Sequence, residues 1–284
     1  MARASTVARR VRTGTKRTAS NSWLELLERG GYVIRGVLYA VMGGLALGLA
    51  LGFGGAATDQ SGSVVILSQA PAGKLLLFAV VIGLGAYSIW GFVRAVFDPL
   101  HRGDDAPGIA ERLGFAWSGT AYAAIVIFAL HLLAGSGASA AHDSTQSTIA
   151  RILAYPAGHI IAMAIGLVSI GVGLGQFVDA YRAIFKGDMK RGEMNKAEKH
   201  IVDMLGRFGY FSRGVTFTLV GWFVFQGGLH RDSSQVHGFS GVFLFLLGQP
   251  FGRLLLAVVA LGFIALGLHS LACARWIRLL SSRS

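Results

Sequence analysis

Apolar and polar positions alternate along this chain on a scale much longer than a helix turn or a strand. Six stretches hold no Asp, Glu, Lys or Arg: residues 36–58, 75–93, 113–141, 152–178, 214–230 and 254–274. A helix needs about 20 apolar residues, range ~17–25, to cross a bilayer. The pattern predicts six transmembrane helices. The fifth run is the shortest, and residues 208–213 lengthen it. Inside each pair of runs a polar break carries one Asp, in "TDQS" (58–61), "HDST" (142–145) and "RDSS" (231–234). A short apolar stretch follows each break and predicts a short interfacial helix leading into the next span.

The six runs are three copies of one unit. "RGGYVIRG" at 29, "RLGFAWSG" at 112 and "RFGYFSRG" at 207 share R-x-G-[YF]-x-x-[RS]-G, and each opens an odd-numbered run. "PAGK" at 71, "PAGH" at 156 and "PFGR" at 250 open the even-numbered runs. Aligned on those prolines, Phe92, Phe177 and Leu271 coincide, as do Ala95, Ala180 and Ala274. Proline suits a first helical turn, where its missing N–H costs nothing, and the glycine two residues on suits close packing or a lipid headgroup. The chain divides into a basic tail (1–22), hairpin repeat one (23–104), repeat two with a linker (105–194) and repeat three (195–284). Tandem hairpins share one orientation and are related by an axis along the membrane normal. The expected fold is an all-α integral membrane protein of six helices with pseudo-threefold symmetry.

These motifs resemble a bacterial membrane family known as domain of unknown function 1206. That family is built from two-helix repeats with an R-x-G-Y-x-x-R-G start and a P-x-G-[KR] start to the second helix. The resemblance covers residues 24–280 and implies the fold, but no catalytic residue. Repeat two departs from the pattern at Ser118, which replaces the second arginine, and at His159, which replaces the cation after P-x-G.

Composition and charge add orientation. The chain is 53% hydrophobic and 14% charged, against roughly 25% charged in soluble domains. Of its 26 Lys and Arg, 22 fall on one side of the predicted topology, and Lys74, Arg151, Arg231 and Arg253 on the other. The positive-inside rule puts both termini in the cytoplasm, as expected for a multi-pass protein of the cell inner (plasma) membrane. The net charge of +12 therefore points to anionic lipid at the cytoplasmic face, worth about 1 kcal/mol per basic residue, and not to nucleic acid. The tail, rich in Arg, Ser and Thr, reads as a lipid-hugging segment, although its composition also fits a transit peptide. Cys273 is the only cysteine, so there is no disulfide framework and no haem-attachment motif.

Candidate binding residues fall at the helix ends. Arg29, Arg112 and Arg207 form one cytoplasmic set, with Arg35 and Arg213 deeper in their helices. These are candidates for lipid phosphate or an anion, with Arg35 and Arg213 expected to snorkel to the boundary. Lys74, His159 and Arg253 sit at helix N-termini, where the dipole disfavours positive charge. Their expected partners are Asp59, Asp143 and Asp232 in three exofacial ion pairs, or alternatively a lipid phosphate, which makes Lys74, His159 and Arg253 candidate lipid- or anion-binding residues too. Tyr32, Phe115 and Tyr210 fit an interfacial aromatic belt. Small residues at Ala40, Gly44, Gly48 and Gly52, and at Gly171 and Gly175, predict helix-packing ridges. "SWLE" (22–25) and "NKAE" (195–198) read as capping boxes. Residues 198–210 are amphipathic and are predicted to lie along the membrane surface.

Chemistry inside the predicted spans is sparse: Gln176, Gln226, His131, His269 and, at a helix end, Asp179. No helical His pair or acidic cluster suggests a metal or haem, and no P-loop or dinucleotide fingerprint is present. No cofactor and no enzymatic activity are expected. Two function classes remain. One is a lipid- or protein-binding accessory component of the membrane, with a membrane-protein partner. The other is a pseudo-threefold carrier or channel for a small anionic solute. A water-filled axis lined by Arg35, Arg213, Gln176 or His269 favours the second, and a filled axis the first.

Overall fold

The computed structural model describes residues 22–98, 103, 105–135 and 144–276. Among them nine α-helices follow in chain order: α1 (Ser22–Leu51), α2 (Gln60–Ser68), α3 (Gly73–Phe97), α4 (Ala106–Leu133), α5 (Ser144–Leu153), α6 (Gly158–Arg182), α7 (Lys196–His230), α8 (Phe239–Leu247) and α9 (Gly252–Trp276). Polar caps set several boundaries. Asp59 accepts from Gly62 N at 2.8 Å to start α2, and Asp105 accepts from Gly108 N at 3.2 Å to start α4. Asn195 and Glu198 exchange two 2.8 Å bonds at the start of α7, the capping box expected there. The side chains of the other box, at 22–25, lie outside the described residues.

Five helical segments are long and apolar enough to cross a membrane: Arg29–Leu51, Gly73–Phe97, Glu111–Leu133, Gly158–Arg182 and Gly252–Trp276. The sixth long helix, α7, contains Arg207 and Arg213 and runs for 35 residues, about 52 Å at 1.5 Å per residue. The amphipathic stretch 198–210 is therefore no separate surface helix. Its glycines serve packing instead of bending: a Cβ on Gly206 would meet Phe185 at 2.5 Å, and one on Gly209 would meet Leu266 at 2.8 Å.

One contact recurs three times between an even-numbered long helix and the odd-numbered helix after it. A Cβ on Gly119 of α4 would meet Ser88 O of α3 at 3.1 Å. One on Gly214 of α7 would meet Gly173 O of α6 at 3.1 Å, and one on Gly36 of α1 would meet Gly267 O of α9 at 2.9 Å. Ser88, Gly173 and Gly267 occupy one repeat position, and Gly119, Gly214 and Gly36 another. Each glycine is the last of its R-x-G motif. The third contact joins the first long helix to the last, so both described chain ends lie at one end of the bundle. The packing ridges predicted at Gly44, Gly171 and Gly175 do not form, since nothing lies within 4 Å of a Cβ there. Gly43 packs instead, its Cβ 2.7 Å from Ala260 O.

The repeats differ within their hairpins. Helix α1 packs along α3, and α7 along α9, but α4 and α6 do not pack along one another. Gly31 of α1 would place a Cβ 2.7 Å from Tyr87 Cβ, and Gly209 of α7 would place one 2.8 Å from Cβ of Leu266, the residue at the same repeat position as Tyr87. Gly114, at the same motif position in α4, has nothing within 4 Å. The long helices thus pack in the order α4–α3–α1–α9–α7–α6, and among the described residues the first and last of that series do not pack along one another.

The short helices tuck into the end away from the motif arginines. Val64, Val242 and Phe243 are fully buried, so α2 and α8 do not simply float on a surface. The prolines of P-x-G stand in the turn before each helix, two residues ahead of the first helical position and not in the first turn as expected. The glycines begin the helices at Gly73, Gly158 and Gly252, and a Cβ there would collide with Ser68 O, Ile152 O and Leu247 O respectively.

Candidate functional site

The first arginine of each R-x-G motif is a clamp on a neighbouring helix. Arg112 Nε donates to Ala95 O at 2.8 Å and its Nη2 to Val96 O at 3.2 Å, at the end of α3. Arg207 Nη1 donates to Ala180 O at 3.3 Å and Tyr181 O at 2.8 Å, at the end of α6. Arg29 Nη1 donates to Ala274 O at 3.0 Å and Arg275 O at 2.9 Å, at the end of α9. The last carbonyls of a helix have no partner inside it, and a cation there also opposes the negative end of the dipole.

The second arginine does something else. Arg35 sits six residues further along α1, about 9 Å deeper by helical rise. It is 7% exposed, so it does not snorkel. Its Nη1 donates to Tyr87 Oη of α3 at 2.5 Å, and its guanidinium lies 5.4–5.9 Å from the ring centroids of Tyr39, Tyr87 and Tyr122. The Tyr39 and Tyr122 hydroxyls are 3.3 Å apart. The Tyr87 ring meets Tyr32 and Tyr122 edge-on, at 5.1 and 5.0 Å. Arg213, half-buried on α7, lies over Phe217 at 5.2 Å and also acts electrostatically on Tyr39. No carboxylate among the described residues pairs with Arg35 or Arg213, and the buried Nε of each has no hydrogen-bond partner there.

Tyr39, Tyr122 and Phe217 share one repeat position, as do Arg35, Ser118 and Arg213. Sequence reasoning singled out the arginines but missed the tyrosines. The signal was available: Tyr39 and Tyr122 each fall ten residues after the first arginine of their motif. Buried Arg94 of α3 was missed as well. It lies over Trp90 and Phe115 at 5.7 and 5.4 Å, and its Nη1 reaches Tyr32 Oη at 3.5 Å. The predicted aromatic belt is thus internal: Tyr32 and Phe115 pack around Arg94, and Tyr210 stacks on Phe185 at 5.3 Å.

Phe185 belongs to the linker between α6 and α7, which straps this end of the bundle. Phe185, Met189 and Met194 are buried. Lys190 N donates to Trp276 O at 2.7 Å. Asp203 of α7 takes Lys186 at 2.8 Å and both Arg191 Nη atoms at 2.6 and 3.1 Å. Partial burial works to raise the Asp203 pKa, but the Arg191 and Lys186 hydrogen bonds and charges outweigh it and hold the carboxyl below its usual range. Buried His269 faces the strap through Phe185 at 4.8 Å, with its Nδ1 3.3 Å from Val202 O and its Nε2 3.6 Å from Cys273 Sγ.

At the opposite end the expected ion pairs do not form among the described residues. Asp59 caps α2, and Lys74 stays exposed. Asp232 accepts from Ser234 N and Oγ, both at 2.8 Å, and from Gln235, and Arg253 is exposed. Each carboxylate satisfies the free N–H groups beside it in sequence, which need no long side chain to reach them. Asp143 lies outside the described residues. His159 Nε2 lies 3.4 Å from Arg231 Nη2 instead.

The comparisons with known proteins agree with the repeat structure. A family described as Domain of Unknown Function (DUF1206) matches three times, over residues 30–98, 113–183 and 208–276. The uncharacterized protein YxxB of Bacillus subtilis (strain 168) is 33% identical over 249 residues, covering 88% of this chain and 90% of that protein. No solved structure is similar to the chain. With three R-x-G clamps, three P-x-G turns and three matches in register with them, the chain belongs to the Domain of Unknown Function (DUF1206) family.

Proposed function

We propose that the chain crosses the membrane six times, as three parallel hairpins about an axis along the membrane normal, and that it is a non-enzymatic carrier or channel for a small anion. The sixth crossing is supported by α7, which packs lengthwise between the apolar helices α6 and α9. The axis is supported by the clamp and glycine contacts that recur at equivalent positions. Both ends are cytoplasmic by the distribution of basic residues, and the three clamp arginines lie where anionic lipid phosphate meets that face.

One observation carries the anion: Arg35 is buried in the helix bundle with no carboxylate partner among the described residues. A filled axis, which the burial of Arg35 and His269 favours and which suits an accessory component, does not by itself account for that charge. An ionisable residue buried within a membrane span is costly and marks an ion or substrate path. Tyrosine rings and hydroxyls stabilise the guanidinium without neutralising it, and a passing anion supplies the missing charge. The test is flux from liposomes carrying purified protein, with sodium salts of small anions trapped inside. Anion efflux should exceed that of protein-free vesicles and collapse in Arg35→Gln. Equal efflux from the wild type and Arg35→Gln would remove transport through this site.

The lack of packing between α4 and α6 among the described residues favours a second role. Gly114 presents a helix-packing position with nothing against it, which suits an accessory component that takes a lipid or a helix of another membrane protein. Lipid or protein co-purifying with the wild type and lost in Gly114→Leu supports that role.

A further inference from the structure

The hydrogen bonds of the arginine–tyrosine layer are unbalanced in one direction. Arg35 brings five N–H donors and no acceptor. One goes to Tyr87 Oη, and the buried Nε–H has no partner among the described residues. Tyr87 Oη accepts from Arg35, so its own hydrogen must be donated elsewhere. Tyr39 and Tyr122 lie 3.3 Å apart and share one hydrogen between two oxygens, which leaves a second O–H to donate. Arg213 adds a further buried Nε–H without a partner. No carbonyl or carboxylate among the described residues accepts from any of these groups. The layer is a cluster of donors, with a positive charge at its centre and aromatic rings around it.

We infer that this layer binds a small monovalent anion that carries acceptors and no hydrogen-bond donor, a halide or a nitrate-like ion. The inference rests on the reading that the core holds an anion, and it narrows the chemistry of that anion in two steps. Dihydrogen phosphate and bicarbonate carry their own O–H, for which the layer offers only phenol oxygens, and Tyr87 and one of the Tyr39–Tyr122 pair already accept a hydrogen bond. A buried donor left unmet is costly, and sites built this way reject the mismatched analogue strongly. Sulfate has acceptors only, but the cost of stripping water from an ion grows with the square of its charge, about fourfold from one charge to two. Its attraction to each guanidinium only doubles. Burial of Arg35, Tyr39 and Tyr122 leaves little water to make up the difference.

The full chain in detergent tests this directly, without transport. Thermal unfolding is followed against sodium bromide, nitrate, sulfate and dihydrogen phosphate at constant ionic strength in sodium gluconate. Bromide and nitrate should raise the midpoint saturably, and sulfate and dihydrogen phosphate should not. Tyr122→Phe keeps the ring and removes one donor, and should weaken bromide binding about ten- to hundredfold, as for one hydrogen bond to a charged group. Arg35→Gln should abolish it. If Arg35→Gln does not fold, Tyr122→Phe alone decides. A saturable preference for sulfate or phosphate, or bromide binding unchanged in Tyr122→Phe, overturns the inference. Bromide binding without flux would defeat the transport reading and leave this site intact. Sulfate efflux that depends on Arg35 would do the reverse.

Discussion

Alanine at Gly31, Gly114 and Gly209 should give three different proteins from one motif position. In α7 the new methyl of Gly209→Ala would stand 2.8 Å from Leu266 Cα and Cβ and 2.9 Å from its N. In α1 that of Gly31→Ala would stand 2.7 Å from Gly83 O and Tyr87 Cβ. Ordinary contact begins at 3.4 Å, and helix backbones packed at crystal-like density must part by roughly 0.6 Å to restore it. Overpacking of this kind costs about 1–3 kcal/mol, while alanine returns up to ~1 kcal/mol of helix preference. The net loss is up to about 2–3 kcal/mol at Gly31 and Gly209. At Gly114, where nothing lies within 4 Å, only helix preference remains, and the change should be neutral or stabilising by up to ~1 kcal/mol. Thermal unfolding in a single detergent separates these, at about 2–4 °C per kcal/mol for a domain of this size class. Equal destabilisation by all three would refute the open hairpin in repeat two.

Other consequences are as specific. Arg112→Gln leaves Ala95 O and Val96 O without their donor and should cost about 1–3 kcal/mol, read as faster amide exchange in the last turn of α3. Gly158→Ala, colliding with the backbone of Ile152, should lower the thermal midpoint more than Gly171→Ala, which meets nothing within 4 Å. Asp203 stabilises the strap while ionised, because its folded pKa lies below its unfolded one. That contribution is full above the ordinary Asp value of about 3.9 and fades as pH falls through the lower folded value, so proteolysis within 184–194 should accelerate only in strong acid. Asp203→Asn should release the strap at neutral pH, and labelling of the buried Cys273 thiol, the chain's only cysteine, by a maleimide should then quicken.

The architecture was legible because its signals are periodic. Charge-free runs, P-x-G turns and R-x-G starts each recur, and hydrocarbon leaves little choice but helices for such runs. Side-chain direction was not legible at the same level. Arg35 and Arg29 look alike in sequence, yet one is buried among tyrosines and the other clamps α9. Helical rotation decides between them, and a run apolar on every side gives no face to read it from. The small-residue ridges form only in part for the same reason: Ala40 meets Gly267 of α9, but Gly43 and Gly44 are neighbours pointing about 100° apart, and of these two only Gly43 meets a helix. The exofacial pairs of Asp59 and Asp232 do not form because the free amides next to each of these two residues outcompete a distant cation.

The clamp of Arg29 on Ala274 and Arg275 spans 245 and 246 positions of chain, which has a consequence for how the bundle is made. Helices enter a membrane in order of synthesis, so α1 must stand in lipid with its glycine face and its clamp unused until α9 arrives. Its early neighbours are α2, α3 and, through Tyr39 and Tyr122, α4, and α4 and α6 do not pack along one another to join the first half of the chain to its second. Completion is therefore a late, all-or-nothing event, in which the last helix docks between α1 and α7 and unites the halves. A chain that stops before Gly252 should remain two loose groups of helices, and the quality control that meets such chains will see α1 as its exposed surface.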